Sequence, residues 1–154
     1  MVNNMEIRKL DSTNIKEIEE VVELWYEVSV KAHSFISPSY WEKNKEAMCN
    51  LYIPKSETYL ATKKGKIVGF ISMADNYLAA IFIKINMQGM GIGKKLLKYI
   101  KEKENIIQLR VYKKNTDSVE FYKRQGFEMI KESSEKDTGE LELLMEWVKD
   151  KERR

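Results

Sequence analysis

The sequence predicts one α/β (α+β) domain, residues 1–154, built on a mixed, mostly antiparallel sheet of six to seven strands flanked by about four helices. Three observations carry this. Strand-like and helix-like segments follow one another in the order βααβββαβαββ. Two pairs of strands are joined by short links of turn-forming residues. The run Leu78–Ile85 is apolar on both faces except at Lys84, as a central strand covered by helices on each side must be. At 154 residues the chain has the length of a single ordinary domain, and 43% apolar residues, including three Trp, eight Tyr and five Phe, supply a core for it.

Glu6 to Leu10 is a short strand, after which Asp11-Ser12-Thr13 offers capping oxygens to a helix with an apolar stripe at Ile15, Ile18, Val21, Val22, Trp25 and Val28. The stretch from Ala32 to Pro38 breaks that pattern. Pro38 and Ser39 then open a second helix that runs through Trp41 toward Leu51. Thr58–Thr62 and Ile67–Ala74 are strands joined by Lys63-Lys64-Gly65-Lys66, a hairpin signal. Asp75-Asn76 turns the chain into the central strand. From Ile92 to Ile100 apolar Ile92, Leu96, Leu97 and Ile100 recur at helical spacing, with Lys94, Lys95, Lys98 and Lys101 on the opposite, wet face. Ile106–Val111 is a strand, Thr116–Gln125 a short helix ended by Gly126, and Phe127–Ile130 and Leu141–Val148 are closing strands around Asp137-Thr138-Gly139. Lys149–Arg154 is a charged tail.

Composition excludes several function classes. Lys and Arg number 27 against 24 Asp and Glu, so the net charge of +3 is too small an excess to imply nucleic-acid binding. Cys49 is the only cysteine, which rules out an internal disulfide and speaks against a cysteine-ligated metal. The first residues lack the apolar stretch of a signal peptide, and no apolar run approaches the ~18 residues of a membrane span. The expected setting is the reducing cytoplasm, without membrane contact.

The chemistry begins at Gln88-Gly89-Met90-Gly91-Ile92-Gly93. A strand, a glycine-rich turn and an immediate helix place unpaired backbone N–H groups at a positive helix end, which is an anion site. Glycine lets a phosphate approach the backbone and lets the turn adopt positive φ; Lys94 adds charge. The plain alternative is a tight strand-to-helix connection with no ligand. Two nucleotide patterns fail here. A dinucleotide fingerprint would need a third small residue where Leu96 stands, and a nucleoside-triphosphate loop would need glycine at Gln88 and Ser or Thr at Lys95.

The remaining pattern, Gln-x-x-Gly-x-Gly after a buried strand, resembles the pyrophosphate signature of the GNAT superfamily of N-acetyltransferases. Downstream, Asn115-x-x-Ser118-x-x-Phe121-Tyr122-x-x-x-Gly126-Phe127 is similar to that family's second motif. The ending of the first helix, His33-x-Phe35-Ile36, is similar to a subgroup of small bacterial members. The resemblance covers nearly the whole chain. It implies the GNAT fold, acetyl-CoA as cosubstrate, no metal, and transfer by direct attack of a primary amine, on a protein lysine, a protein N-terminus or a small molecule. It further implies that Ile81, Phe82 and Ile83 bond the pantetheine arm through their backbone. In the same reading Gln88, Gly89, Met90, Gly91, Ile92, Gly93 and Lys94 hold the pyrophosphate, and Asn115, with Ser118 more weakly, contacts the cofactor. Monomer and homodimer both remain open.

Thioester chemistry needs a donor for the oxyanion, here the Ile83 N–H. It also needs an acid for the leaving thiolate, and the family pattern puts Tyr122 there. Without the motif Tyr122 reads as an ordinary helix aromatic beside Phe121. The base is where the sequence departs from its relatives. Those use a Glu near the start of the strand before the glycine turn or in the strand after the helix, and Tyr77 and Arg110 stand near those places. That leaves His33, Asp75 or a chain of waters, with His33, the one histidine, equally readable as a structural residue. Glu19, Glu20, Glu23 and Glu27 on the first helix read as a solvated face. A CoA-binding module without efficient catalysis is the alternative to the enzyme.

Overall fold

The computed structural model describes residues 5–149; the start of the chain searched for a signal peptide, 1–4, and residues 150–154 of the charged tail lie outside it. Seven strands, β1 (Met5–Lys9), β2 (Glu57–Lys63), β3 (Lys66–Ala74), β4 (Tyr77–Ile83), β5 (Ile106–Tyr112), β6 (Glu128–Ser134) and β7 (Leu141–Val148), form one sheet in the order β1-β2-β3-β4-β5-β7-β6. Every neighbouring pair is antiparallel except β4 and β5. Helices α1 (Ile15–Ala32) and α2 (Pro38–Lys43) cover one face, and α5 (Ile92–Lys101) and α6 (Thr116–Arg124) the other. Between α2 and β2 lie two single helical turns, α3 (Lys45–Ala47) and α4 (Ile53–Lys55), and a π-helical turn at Met48–Tyr52.

The sheet carries a core on each face because its side chains alternate. Leu60, Phe70 and Tyr112 pack under α1 with Val21, Val22, Trp25 and Trp41. Ile71, Met73, Leu109, Val111 and Met145 pack under α5 and α6 with Leu96, Leu97 and Ile100. The apolar stripe expected on α5 is the buried set found there. Each fully buried Leu, Ile or Val contributes about 1.5–3 kcal/mol, so these two layers hold the sheet between its helices.

Four boundaries differ from expectation. The α1 cap is Asn14, whose Oδ1 accepts from the Glu17 N–H at 3.1 Å, while Asp11 closes the preceding turn by accepting from Thr13. The second helix does not run on to Leu51. Asn44 turns its Nδ2 to the Tyr40 carbonyl at 2.6 Å, and Pro54 has no N–H for the carbonyl of Asn50, so the segment widens into the π turn. β4 stops at Ile83, and Ile85–Met87 is a turn of 3₁₀ helix. β6 continues to Ser134, and all its residues are exposed, so no apolar face marked it in the sequence.

Gly69 on β3 sits directly behind the end of β4. A Cβ there would lie 2.8 Å from Ile83 Cδ1 and 3.0 Å from the Phe82 carbonyl oxygen. Gly69→Ala is expected to lower stability by about 1–3 kcal/mol, read as a lower urea midpoint at unchanged slope.

Candidate active site

β4 and β5 meet through two residue pairs only, Tyr77–Gln108 and Leu78–Leu109, after which they diverge. β4 stays paired with β3 along its length, and β5 with β7. The divergence opens a cleft of about 1100 Å³ through the sheet. Which backbone groups face it follows from strand alternation. The Lys84 N–H donates to the Val68 carbonyl on β3 at 2.9 Å, and the Phe82 carbonyl also points at β3. The peptide groups of Ile81 and Ile83 therefore face the opening. Of the three strand residues expected to bind through their backbone, Phe82 turns that backbone the other way and gives the cleft its side chain.

At the end of β4 the chain turns through the glycines. Gly89 and Gly91 have φ of +79° and +85°, and nothing lies within 4 Å of where their Cβ atoms would be. A side chain at either position would be strained and would stand in the space a phosphate needs. Gly91 is the N-cap residue of α5 and has no side chain with which to satisfy the free N–H groups there. Gly93 lies against the Phe121 ring instead, and a Cβ there would sit 3.4 Å from it, in van der Waals contact. Gln88 does not point outward: its Nε2 donates to the Ile83 carbonyl at 3.0 Å, tying the turn to the strand end. Gln88, Gly89, Gly91, Ile92, Gly93 and Lys94 all line the cleft, and Met90 does not.

Tyr122 and Asn115 come from α6. Tyr122 is 8% exposed, with Phe121 and Phe127 at ring distances of 5.4 and 5.7 Å, and it reaches the cleft wall. Burial, and to a smaller degree Tyr77, hold its phenol well above the ordinary value, so it is protonated at neutral pH. Asn115 is the N-cap of α6, its Oδ1 accepting from the Ser118 N–H at 3.4 Å. Its Nδ2 lies 3.2 Å from His33 Nε2. Since Oδ1 must accept, Nδ2 donates, and the His33 lone pair is already engaged.

His33 is therefore not a base. It is 7% exposed, caps α1 through an N–H to the Ser29 carbonyl at 2.9 Å, and packs against Trp41 and Tyr112 at ring distances near 5 Å, 5.1 and 5.0 Å. Burial lowers its pKa to about 4 against a smaller opposing pull from the Ser29 carbonyl. Asp75 is removed too: it sits exposed in the β3–β4 turn at φ +55° and does not line the cleft. Arg110 lies over the Tyr77 ring at 5.7 Å, so the two positions where the resemblance implied a carboxylate hold a cation over a ring instead.

Sequence reasoning missed the opposite wall. Tyr40, Tyr112, Glu135 and Glu142 line the same cleft. The Tyr112 hydroxyl donates to Glu135 Oε1 at 2.8 Å, and Thr138 Oγ1 donates to the same oxygen at 2.6 Å. Only the alternation of β7, which puts Glu142 among apolar neighbours, could have drawn attention to it. Lys101, expected on the wet face, is half-buried and donates to the Gln125 carbonyl at 2.6 Å. Glu23, by contrast, is exposed and pairs with Lys45 at 3.2 Å.

A family model described as an acetyltransferase (GNAT) domain matches residues 21–148. The chain is 30% identical over 132 residues to the peptidyl-lysine N-acetyltransferase YiaC of Escherichia coli (strain K12), covering 85% of this chain and 90% of that protein. The solution structure of apo YjaB from Escherichia coli superposes with a TM-score of 0.81 at 23% identity, over 94% of this chain and 97% of that one. PaiA N-acetyltransferase from Thermoplasma acidophilum, solved in complex with coenzyme A, superposes with a TM-score of 0.73 at 21% identity, over 94% and 98%. The chain belongs to the GNAT acetyltransferase family, and is an acyltransferase whose cosubstrate is acetyl-CoA. No helix among the described residues is long and apolar enough to cross a membrane.

The neutral state of His33 has a consequence for stability. The unfolded chain binds a proton at this residue below about pH 6.5, whereas the folded chain does so only below about 4. Between these values the unfolded state holds more protons, so the contribution is complete above pH 6.5 and lost as the pH falls toward 4. Urea midpoints measured from pH 7.5 to 4.5 are expected to fall, and to fall less in His33→Gln. At pH 7.5 His33→Phe, which strands the Asn115 amide, should cost about 1–3 kcal/mol more than His33→Gln.

Proposed function

We propose that this chain transfers the acetyl group of acetyl-CoA to the ε-amine of a lysine in a protein, by direct attack, with Tyr122 as the proton donor to the leaving thiolate. One observation carries the chemistry: the β4–β5 opening brings the backbone of Ile83 and the side chain of Tyr122 into one cleft with the glycine turn. The lysine acceptor rests on relatives such as YiaC, named a peptidyl-lysine N-acetyltransferase.

The N–H groups at the start of α5 and Lys94 hold a diphosphate; the Ile81 backbone, on the side of the opening, holds an amide-bearing arm along β4, while the Ile83 carbonyl stays bonded to Gln88. The Asn115 side chain is spent on the α6 cap and His33, so its part is to fix that helix. As the amine adds to the thioester carbonyl, the Ile83 N–H is the donor already in place for the oxyanion. Tyr122 then gives its proton to sulfur. A phenol raised by burial is a weaker acid, and desolvation in the same cleft raises the basicity of the thiolate it meets as well.

Thiol release from acetyl-CoA in the presence of lysine peptides, with intact-mass detection of the acetylated product, tests the activity. Tyr122→Phe preserves the ring contacts and is expected to lower kcat by ~10²–10⁴-fold while CoA affinity changes little. An unchanged kcat would remove Tyr122 from the chemistry. CoA binding without turnover on any amine would favour a binding module.

A further inference from the structure

The reaction proposed above needs a group to take a proton from an ammonium whose ordinary pKa is ~10.4, and neither His33 nor Asp75 supplies one. We propose that Glu142, on the α1/α2 face of the opening, is that group: its carboxylate takes the proton of the acceptor's ammonium and frees the lone pair that attacks the thioester. The inference rests on the acetyl-transfer reading and adds to it the base and the side from which the lysine enters.

Register places the residue. Glu142 on β7 is the cross-strand partner of Tyr112 on β5, and partners share a face. Tyr112 belongs to the core beneath α1, so Glu142 lies on that face, whereas Tyr122 and Gly93 lie on the face of α5 and α6. The opening joins the two faces, and residues from both line it. The phosphate-holding turn and the proton donor thus occupy one side, and an acceptor entering from the other meets Glu142 on its way to Ile83. Tyr40 and Trp41 of α2 line this entrance, aromatic surface suited to the methylene stem and charge of a lysine.

The other carboxylates of the cleft are engaged or on the wrong side. Glu135 accepts from both Tyr112 and Thr138. Asp117 is exposed in the first turn of α6. Among the described residues no side chain hydrogen-bonds the Glu142 carboxylate. The charged or titratable groups that face it are Glu135, Arg110, Tyr112 and Tyr40. Burial and Glu135 raise its pKa and Arg110 opposes them, which makes this carboxylate a stronger base than an exposed one.

The proton count closes. The ammonium gives one proton to Glu142, which releases it to solvent. The amine nitrogen bonds to the carbonyl carbon, and the C–S bond breaks as the tetrahedral species collapses. Tyr122 protonates the thiolate, and the second proton lost by nitrogen restores Tyr122, leaving an amide, a thiol and one proton.

Glu142→Gln tests the assignment with acetyl-CoA and a lysine peptide at saturating peptide-independent CoA loading, checked by the CoA dissociation constant and the melting curve of the variant. kcat/KM is expected to fall ~10²–10³-fold at pH 7, and the deficit to shrink as the pH approaches 10 and the free amine supplies itself. A change under threefold at pH 7, or a deficit independent of pH, would overturn the proposal. Arg110→Gln provides a second measurement that does not need the first variant to fold. Removing that cation should move the acid limb of the wild-type kcat/KM profile to higher pH, and an unmoved limb also overturns it. Absence of acetylation by the wild-type protein would instead count against the acetyl-transfer reading.

Discussion

The two-residue parallel pairing of β4 and β5 is the constraint on which the site depends. A sheet normally satisfies its backbone groups by continuous pairing. Here two strands are each fully paired on their outer side, to β3 and to β7, and release one another on the inner side after Leu78 and Leu109. Peptide groups at Ile81 and Ile83 are thereby left facing a cleft in the middle of a packed domain. A continuous ladder would be more stable and would have no site.

The opening persists because the elements around it are fixed independently. Gly69 lets β3 lie close behind β4, Gln88 fastens the glycine turn to the Ile83 carbonyl, and α5 is anchored by four buried apolar residues. On the far side His33 and Asn115 join the end of α1 to the start of α6 through one polar contact. Gln88, His33 and Asn115 also line the cleft, so residues that stabilise the divergence shape its surface. His33 Nε2 is committed to Asn115, which is why the histidine that looked reactive in the sequence links two helices in the structure.

Much of the fold could be read from the sequence where pattern and burial coincide. The α5 stripe, β7 and the hairpin around Gly65 lay where alternation or helical spacing put them. The glycine turn and the α6 motif were legible because a positive φ and a capped helix leave narrow sequence choices. What failed was decided by contacts between distant residues. The segment after Pro38 breaks at Asn44 and Pro54 because of local bonds that a periodic pattern does not encode. β6 has no buried face to produce a pattern. Glu142 and Glu135 were missed because, beyond the alternation of β7 around Glu142, nothing local distinguishes them from surface carboxylates; they come to the cleft only once β7 is laid beside β5. His33 was visible as unusual, but its role depended on a residue 82 positions away.

The exposed strand β6 gives the cleft an asymmetry. Among the described strands it pairs with β7 only, and none of its side chains is buried, so separating it breaks a single ladder and exposes little apolar surface. Glu135 follows directly on this strand, whereas Ile83 and Tyr122 lie against the largest core. One wall of the cleft is thus set by the interior of the domain and the other by an exposed hairpin. An invariant cosubstrate suits the first, and acceptors of varied shape suit the second.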